Sequence, residues 1–182
     1  MTRVAPSNSL LPGRAASFAE PFEMLAACHE RIQRMLDLLR RLREHLPVHG
    51  NDGQARQAAR DVLRYFDQAA PQHHRDEELH VFPPLLATGD SAQRELVQRL
   101  QQDHRAMEQG WAAARPVLEA LAEGRRDRLD AAEEAALAAF ADLHFDHLAA
   151  EDRLAYPAAQ ALLDPGTLAA MGREMMTRRG IP

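Results

Sequence analysis

Lysine is absent from the sequence, so all 22 basic side chains are arginine; cysteine and tryptophan occur once each and tyrosine twice. A single cysteine excludes an intrachain disulfide and fits a reducing compartment, so a cytoplasmic location is expected. Aromatic residues make up only 5% of the chain, while alanine, leucine, arginine and glutamate dominate. That balance disfavours β-sheet and favours helix. No apolar run approaches the ~20 residues of a membrane span. Arg3 and Arg14 are not followed by an apolar stretch, so no secretory signal is expected. The net charge is −5, and no long basic block is present, which argues against nucleic acid as the main partner.

What the sequence has instead is helical periodicity and nine histidines. Residues 1–18, with Pro, Ser and Gly and no periodicity, read as a flexible N-terminal arm. Residues 19–180 read as one all-α domain, an up-down-up-down four-helix bundle with a short C-terminal helix. The first segment starts at Ser17 or Pro21, where Ser17 and Glu20 suit a capping box, and Pro47 and Gly50 stop it. The second runs from about Asp52 to Pro84, with a bend expected at Pro71. The third runs from Ser91 to Glu123, with a bend at Pro116. The fourth opens with an Asp130–Glu133 capping box and reaches Leu163, bending at Pro157. Asp164-Pro165 then begins the terminal helix, whose Met171, Met175 and Met176 suit packing. Short turns make the four neighbours antiparallel.

The chain repeats itself, and the repeat falls on the histidines. His73-His-Arg-Asp-Glu77-Glu-Leu-His-Val-Phe82-Pro83 and His147-Leu-Ala-Ala-Glu151-Asp-Arg-Leu-Ala-Tyr156-Pro157 share the pattern His-x-x-x-Glu-acid-x-x-x-aromatic-Pro, 74 residues apart. His29 and His104 lie in the preceding helix of each half, 75 residues apart. Each half therefore supplies one histidine from its first helix and a His-x-x-x-Glu from its second.

Residues at i and i+4 share a helix face, one turn apart. A histidine and a glutamate so placed can both reach a cation in a bundle core. Two such pairs across a pseudo-two-fold axis set two glutamates between two metals. The symmetric set is His29, His73, Glu77, His104, His147 and Glu151, and His74 breaks the symmetry because its counterpart is Leu148. A fifth histidine on one side leaves the other metal an open position, which a small ligand needs. Imidazole and carboxylate without thiolate suit iron, with zinc an acceptable substitute in purified samples. His144 and Glu108 lie one turn from His147 and His104, but the counterpart of His144 is Ala70 and Glu108 reads as a surface charge, so both stay outside the ligand set, with a place at the site or its mouth as the alternative. His45, His49 and His80 read as solvent-facing, Glu78 and Asp152 as acids behind the ligands or at the surface, and Arg178-Arg179 as a solvated basic end. Tyr65 and Trp111 fall on ligand-bearing faces two turns away, as a lid for the site or as ordinary core.

Ala27-Cys-His-Glu-Arg31, Phe66 through Glu78 with Phe82-Pro83, Gln102-Asp-His-Arg-Ala-Met107 and His147-x-x-x-Glu151 resemble the hemerythrin-like family, also called the HHE cation-binding domain. The likeness covers about residues 20–178. It implies a non-haem di-iron centre, oxo- or hydroxo-bridged, with Glu77 and Glu151 bridging. His29 and His73 would serve one iron, and His104 and His147 the other, joined by His74. Glu108 stands where the oxygen carriers of the family have a second histidine, and Glu151 fits the repeat better than the aspartate position at Asp152. Both departures favour the broader bacterial branch. The resemblance thus implies binding or sensing of O2, nitric oxide or peroxide. Peroxide decomposition and iron donation for repair of iron–sulfur centres are the alternatives.

Overall fold

The computed structural model describes residues 17–181. The expectation for the arm falls on residues 1–18, most of which lie outside the described residues. The elements are α1 (Pro21–His49), α2 (Gly53–Asp76), a π-helical turn (Glu77–Val81), α3 (Phe82–Ala87), α4 (Ser91–Ala122), α5 (Ala131–Asp142), α6 (Phe145–Ala150), a second π-helical turn (Glu151–Ala155), α7 (Tyr156–Leu162) and α8 (Pro165–Arg178). No strand occurs among the described residues. α1 packs on α2, α2 on α4, α4 on α5, and α5 back on α1, which closes the four-helix bundle expected from the sequence.

Several helix ends follow local rules. Asp130 Oδ1 accepts from the Glu133 N–H, and Glu133 Oε2 accepts from the Asp130 N–H, both at 2.9 Å. Asp52, Asp90 and Asp164 cap α2, α4 and α8 with their carboxylates alone, which accept from backbone N–H groups of the first turn. The Ser17–Glu20 box does not open α1: the Ser17 hydroxyl accepts from the Ala19 N–H, and the helix starts at Pro21. Pro47 lies inside α1 and does not end it; Gly50, at φ 68°, does. α2 and α4 likewise run through Pro71 and Pro116 as continuous helices.

The second and fourth segments each contain a π-helical turn that periodicity did not predict. Each turn begins at the glutamate of the repeat and ends just before the aromatic-Pro pair. The Phe82 N–H donates to the Glu77 carbonyl and the Tyr156 N–H to the Glu151 carbonyl, five residues back. An α-helical proline clashes with the carbonyl four residues before it. One extra residue in the turn moves that carbonyl aside, so Pro83 and Pro157 continue the helix instead of breaking it. The fourth segment is interrupted again at Leu143-His144, between α5 and α6.

Two apolar clusters flank the middle of the bundle. One gathers Ile32, Leu39, Leu46, Val62, Phe66, Leu118, Leu137 and Phe140. The other gathers Phe22, Leu25, Val81, Phe82, Leu85, Leu100, Tyr156 and Met175. The second includes α8, whose Met171 and Met175 are buried as expected. Arg178 and Arg179 are not a solvated end. They bind both oxygens of the fully buried Asp76 at 2.7 and 2.6 Å, because that carboxylate has no water to neutralise it. His80 is also partnered rather than free in solvent, at 2.7 Å from Glu174 of α8. His45 lies 3.1 Å from Asp52, and its ring lies 4.4 Å from that of the exposed His49, tilted by 32°.

Candidate metal centre

Between the two apolar clusters lies a layer of buried polar groups: His29, His73, Glu77, His104, His147 and Glu151. None is more than 3% exposed, and both glutamates are at 0%, so water cannot satisfy them. His29 comes from α1, His73 from the last turn of α2, His104 from α4 and His147 from α6. Glu77 and Glu151 each open a π-helical turn, so the same backbone irregularity sets both carboxylates in the core.

Donor atoms of His29, His73, Glu77 and Glu151 all lie within 4.8 Å of one another, as do those of His104, His147 and Glu151. The carboxylates divide themselves between the two groups. Glu77 Oε1 lies 3.7 Å from His29 Nε2 and 3.3 Å from His73 Nε2, while its Oε2 lies 3.4 Å from His104 Nε2. Glu151 Oε2 lies 3.2 Å from His29 Nε2, while its Oε1 lies 3.1 Å from His147 Nε2 and 3.7 Å from His104 Nε2. Buried Nε2 of His73, His104 and His147, Glu77 Oε2 and both oxygens of Glu151 have no hydrogen-bond partner. Unpaired buried polar atoms are costly. Six of them aimed at one small volume fit a site built for cations.

Three of the four far nitrogens are held by acids, and for His29 and His104 the acid comes from the other half. Asp152, next to Glu151, lies 2.8 Å from His29 Nδ1; Glu78, next to Glu77, lies 3.3 Å from His104 Nδ1. Asp103, next to His104, lies 3.3 Å from His147 Nδ1. A carboxylate on Nδ1 fixes the tautomer that leaves Nε2 free to ligate. Cys28 is the counterpart of Asp103 in the repeat, and His73 Nδ1 correspondingly has no partner.

The side chains of the cluster hold charge on one another against burial. Burial opposes protonation of His29, but Asp152, Glu151 and Glu77 outweigh it and push its pKa up to about 11. His104, likewise buried, is pushed up to about 10 by Glu151 and Glu77. Glu77 falls well below the usual carboxylate range despite burial, through His73, His104 and His29. Glu151 falls to about 2 against burial and the Glu77 charge, through His104, His147 and His29. Burial lowers His73 and keeps it neutral.

His74 is not part of either converging group. Its ring stacks on His104 at 4.0 Å between centroids and lines a cavity of about 260 Å³. Burial and His104 hold its pKa well below the usual value. Phe66, Met107, Glu108, Trp111, Phe140 and His144 also line this cavity. His144 and Glu108 thus stand in its wall, outside the donor groups. His144 Nδ1 donates to the Phe140 carbonyl at 3.0 Å, and burial depresses its pKa to about 4. Trp111 donates to Asp67 at 3.0 Å, and the Tyr65 hydroxyl to the Cys28 carbonyl at 3.2 Å.

Sequence reasoning missed two participants. Asp103 carries no periodic signal beyond preceding His104. Tyr156 reads as the aromatic of the repeat, yet its buried hydroxyl donates to Glu77 Oε1 and lies 2.8 Å from His29 Nε2. The difference from Phe82 at the matching position is its only signal.

Comparison with known proteins agrees with this site. The family model described as hemerythrin HHE cation-binding domain matches residues 20–159. A protein of Haemophilus influenzae (strain ATCC 51907 / DSM 11121 / KW20 / Rd), described only as uncharacterized, is 31% identical over 172 residues, covering 94% of this chain and 97% of its own length.

Proposed function

Because the chain belongs to the hemerythrin HHE cation-binding domain family, we propose that it holds two iron ions and uses them in the cytoplasm to bind or sense O2, nitric oxide or peroxide. The observation that carries this reading is the division of the carboxylates: Glu77 and Glu151 each aim one oxygen at either histidine group from full burial. His29 and His73 hold one ion, His104 and His147 the other, and the two glutamates serve both. Imidazole and carboxylate without thiolate suit iron. Two ferrous ions so held supply the electrons that binding or reducing a small oxidant requires.

His74 stands between the cavity and His104, so a molecule entering there meets it first. We assign it as a seventh protein donor, which would serve the His104–His147 ion and would face a small molecule arriving from the cavity. Phe66, Met107, Trp111 and Phe140 give the cavity an apolar part that suits an uncharged diatomic guest, while Arg75, Glu78 and Glu108 add charge to the rest of its wall.

The test is reconstitution with ferrous iron under argon, followed by titration with nitric oxide, then separately with O2 and peroxide. The reading expects two irons per chain, an optical change with each added ligand that binds, and faster binding in His74→Ala with iron retained. A two-iron protein whose spectrum ignores all three ligands would refute it.

A further inference from the structure

The repeat relates Tyr156 to Phe82 and Leu148 to His74, so each half carries one extra donor that its mate lacks. These two extras touch different donor groups of the cluster. His74 stacks on His104, at the cavity. Tyr156 stacks on His29 at 5.0 Å between centroids and touches Phe22 edge-on at 5.9 Å. It is 5% exposed. Its oxygen is within hydrogen-bond distance of both His29 Nε2 and Glu77 Oε1. Those two atoms belong to the converging group of His29, His73, Glu77 and Glu151. A cation drawn to that group therefore meets the phenol oxygen as well. Phe82 offers nothing comparable to the other group, its ring lying 5.6 Å from that of His104.

We propose that Tyr156 is a further protein donor to the ion held by His29 and His73, so that this ion is closed and exchange with small molecules is confined to the His104–His147 side. The inference rests on the two-iron reading. On loading, the phenol O–H bond breaks, its proton passes to solvent and an oxygen–metal bond forms. The tight packing against His29 and Phe22 keeps the ring from swinging away, whereas His74 borders open space.

The experiment uses the full chain loaded with iron and oxidised to the ferric state, with azide as probe. Iron-bound tyrosinate gives a visible charge-transfer band and enhanced phenolate ring modes in the resonance Raman spectrum. Wild type is expected to show both and to keep them at saturating azide. Tyr156→Phe is expected to retain two irons, to lose the tyrosinate modes and to take up azide at a second position, the one the phenolate closes in wild type. Absence of those modes in two-iron wild-type protein, or their loss on adding azide, overturns the proposal and leaves the two-iron reading standing. Wild-type protein that takes up no iron overturns both. The wild-type spectra decide the matter even where the variant fails to fold.

Discussion

Titrating the metal-free protein with zinc at neutral pH is expected to release at least two protons per chain. The number comes from the cluster itself. His29 and His104 are raised to about 11 and about 10, so both rings are protonated before the metal arrives. Glu77 and Glu151 are already ionised, and His73 is already neutral, so they release none. One protonated ring lies in each donor group, and ligation requires it to be neutral. Affinity should therefore rise roughly tenfold per pH unit between about pH 7 and 9 for the ion held by His104 and His147, or about 1.4 kcal/mol per unit, and more steeply for the ion held by His29 and His73, where the Tyr156 phenol proton also leaves. Calorimetry in buffers of different ionisation enthalpy counts the protons, and competition with a chelator gives the pH slope. His29→Gln and His104→Gln should each release one proton fewer. A release near zero, with affinity independent of pH, would refute the charges assigned to the cluster.

The metal-free fold should respond to pH in two opposite ways. His29 and His104 are raised, so their contribution is complete below the unfolded value of about 6.5 and lost as pH rises through about 10 and 11. His144 is depressed to about 4, so its contribution is present above about 6.5 and lost as pH falls through about 4; thermal melts of His144→Leu should show a flatter acid limb. Asp103→Ala frees His147 Nδ1 and should weaken one ion by about 10–100-fold, whereas Cys28→Ala should leave both affinities unchanged, as read by chelator competition. Asp76→Ala strands Arg178 and Arg179, which are partly exposed, and should cost about 2–3 kcal/mol in denaturant unfolding. Gly172→Ala drives a methyl into the Phe18 carbonyl and should cost about 1–3 kcal/mol by the same measure.

The bundle and the convergence of its six symmetric donors were legible because both depend on spacing. His73 with Glu77, and His147 with Glu151, are one turn apart, and the near-equal offsets of His29 and His104 carry the pairing across helices. What stayed hidden depends on contacts between distant segments. Arg178 and Arg179 read as solvated because nothing local announces Asp76, some 100 residues away. The π-helical turns leave a trace only in Pro83 and Pro157, which the sequence reads as a helix end and a bend. His74 shares the helix of His73, but its angular offset turns it onto the His104 ring and into the cavity wall. Tyr156 and Asp103 join the cluster through tertiary packing, and single-helix spacing has no term for that.

The most direct test of the central claim is iron per chain in protein purified anaerobically and reconstituted with ferrous iron, compared with Glu77→Gln and Glu151→Gln. Because each carboxylate faces both histidine groups, two irons are expected in wild type, and either substitution should diminish both together. Wild type without iron, or a substitution that removes one ion and leaves the other at full affinity, would contradict a centre built on shared glutamates.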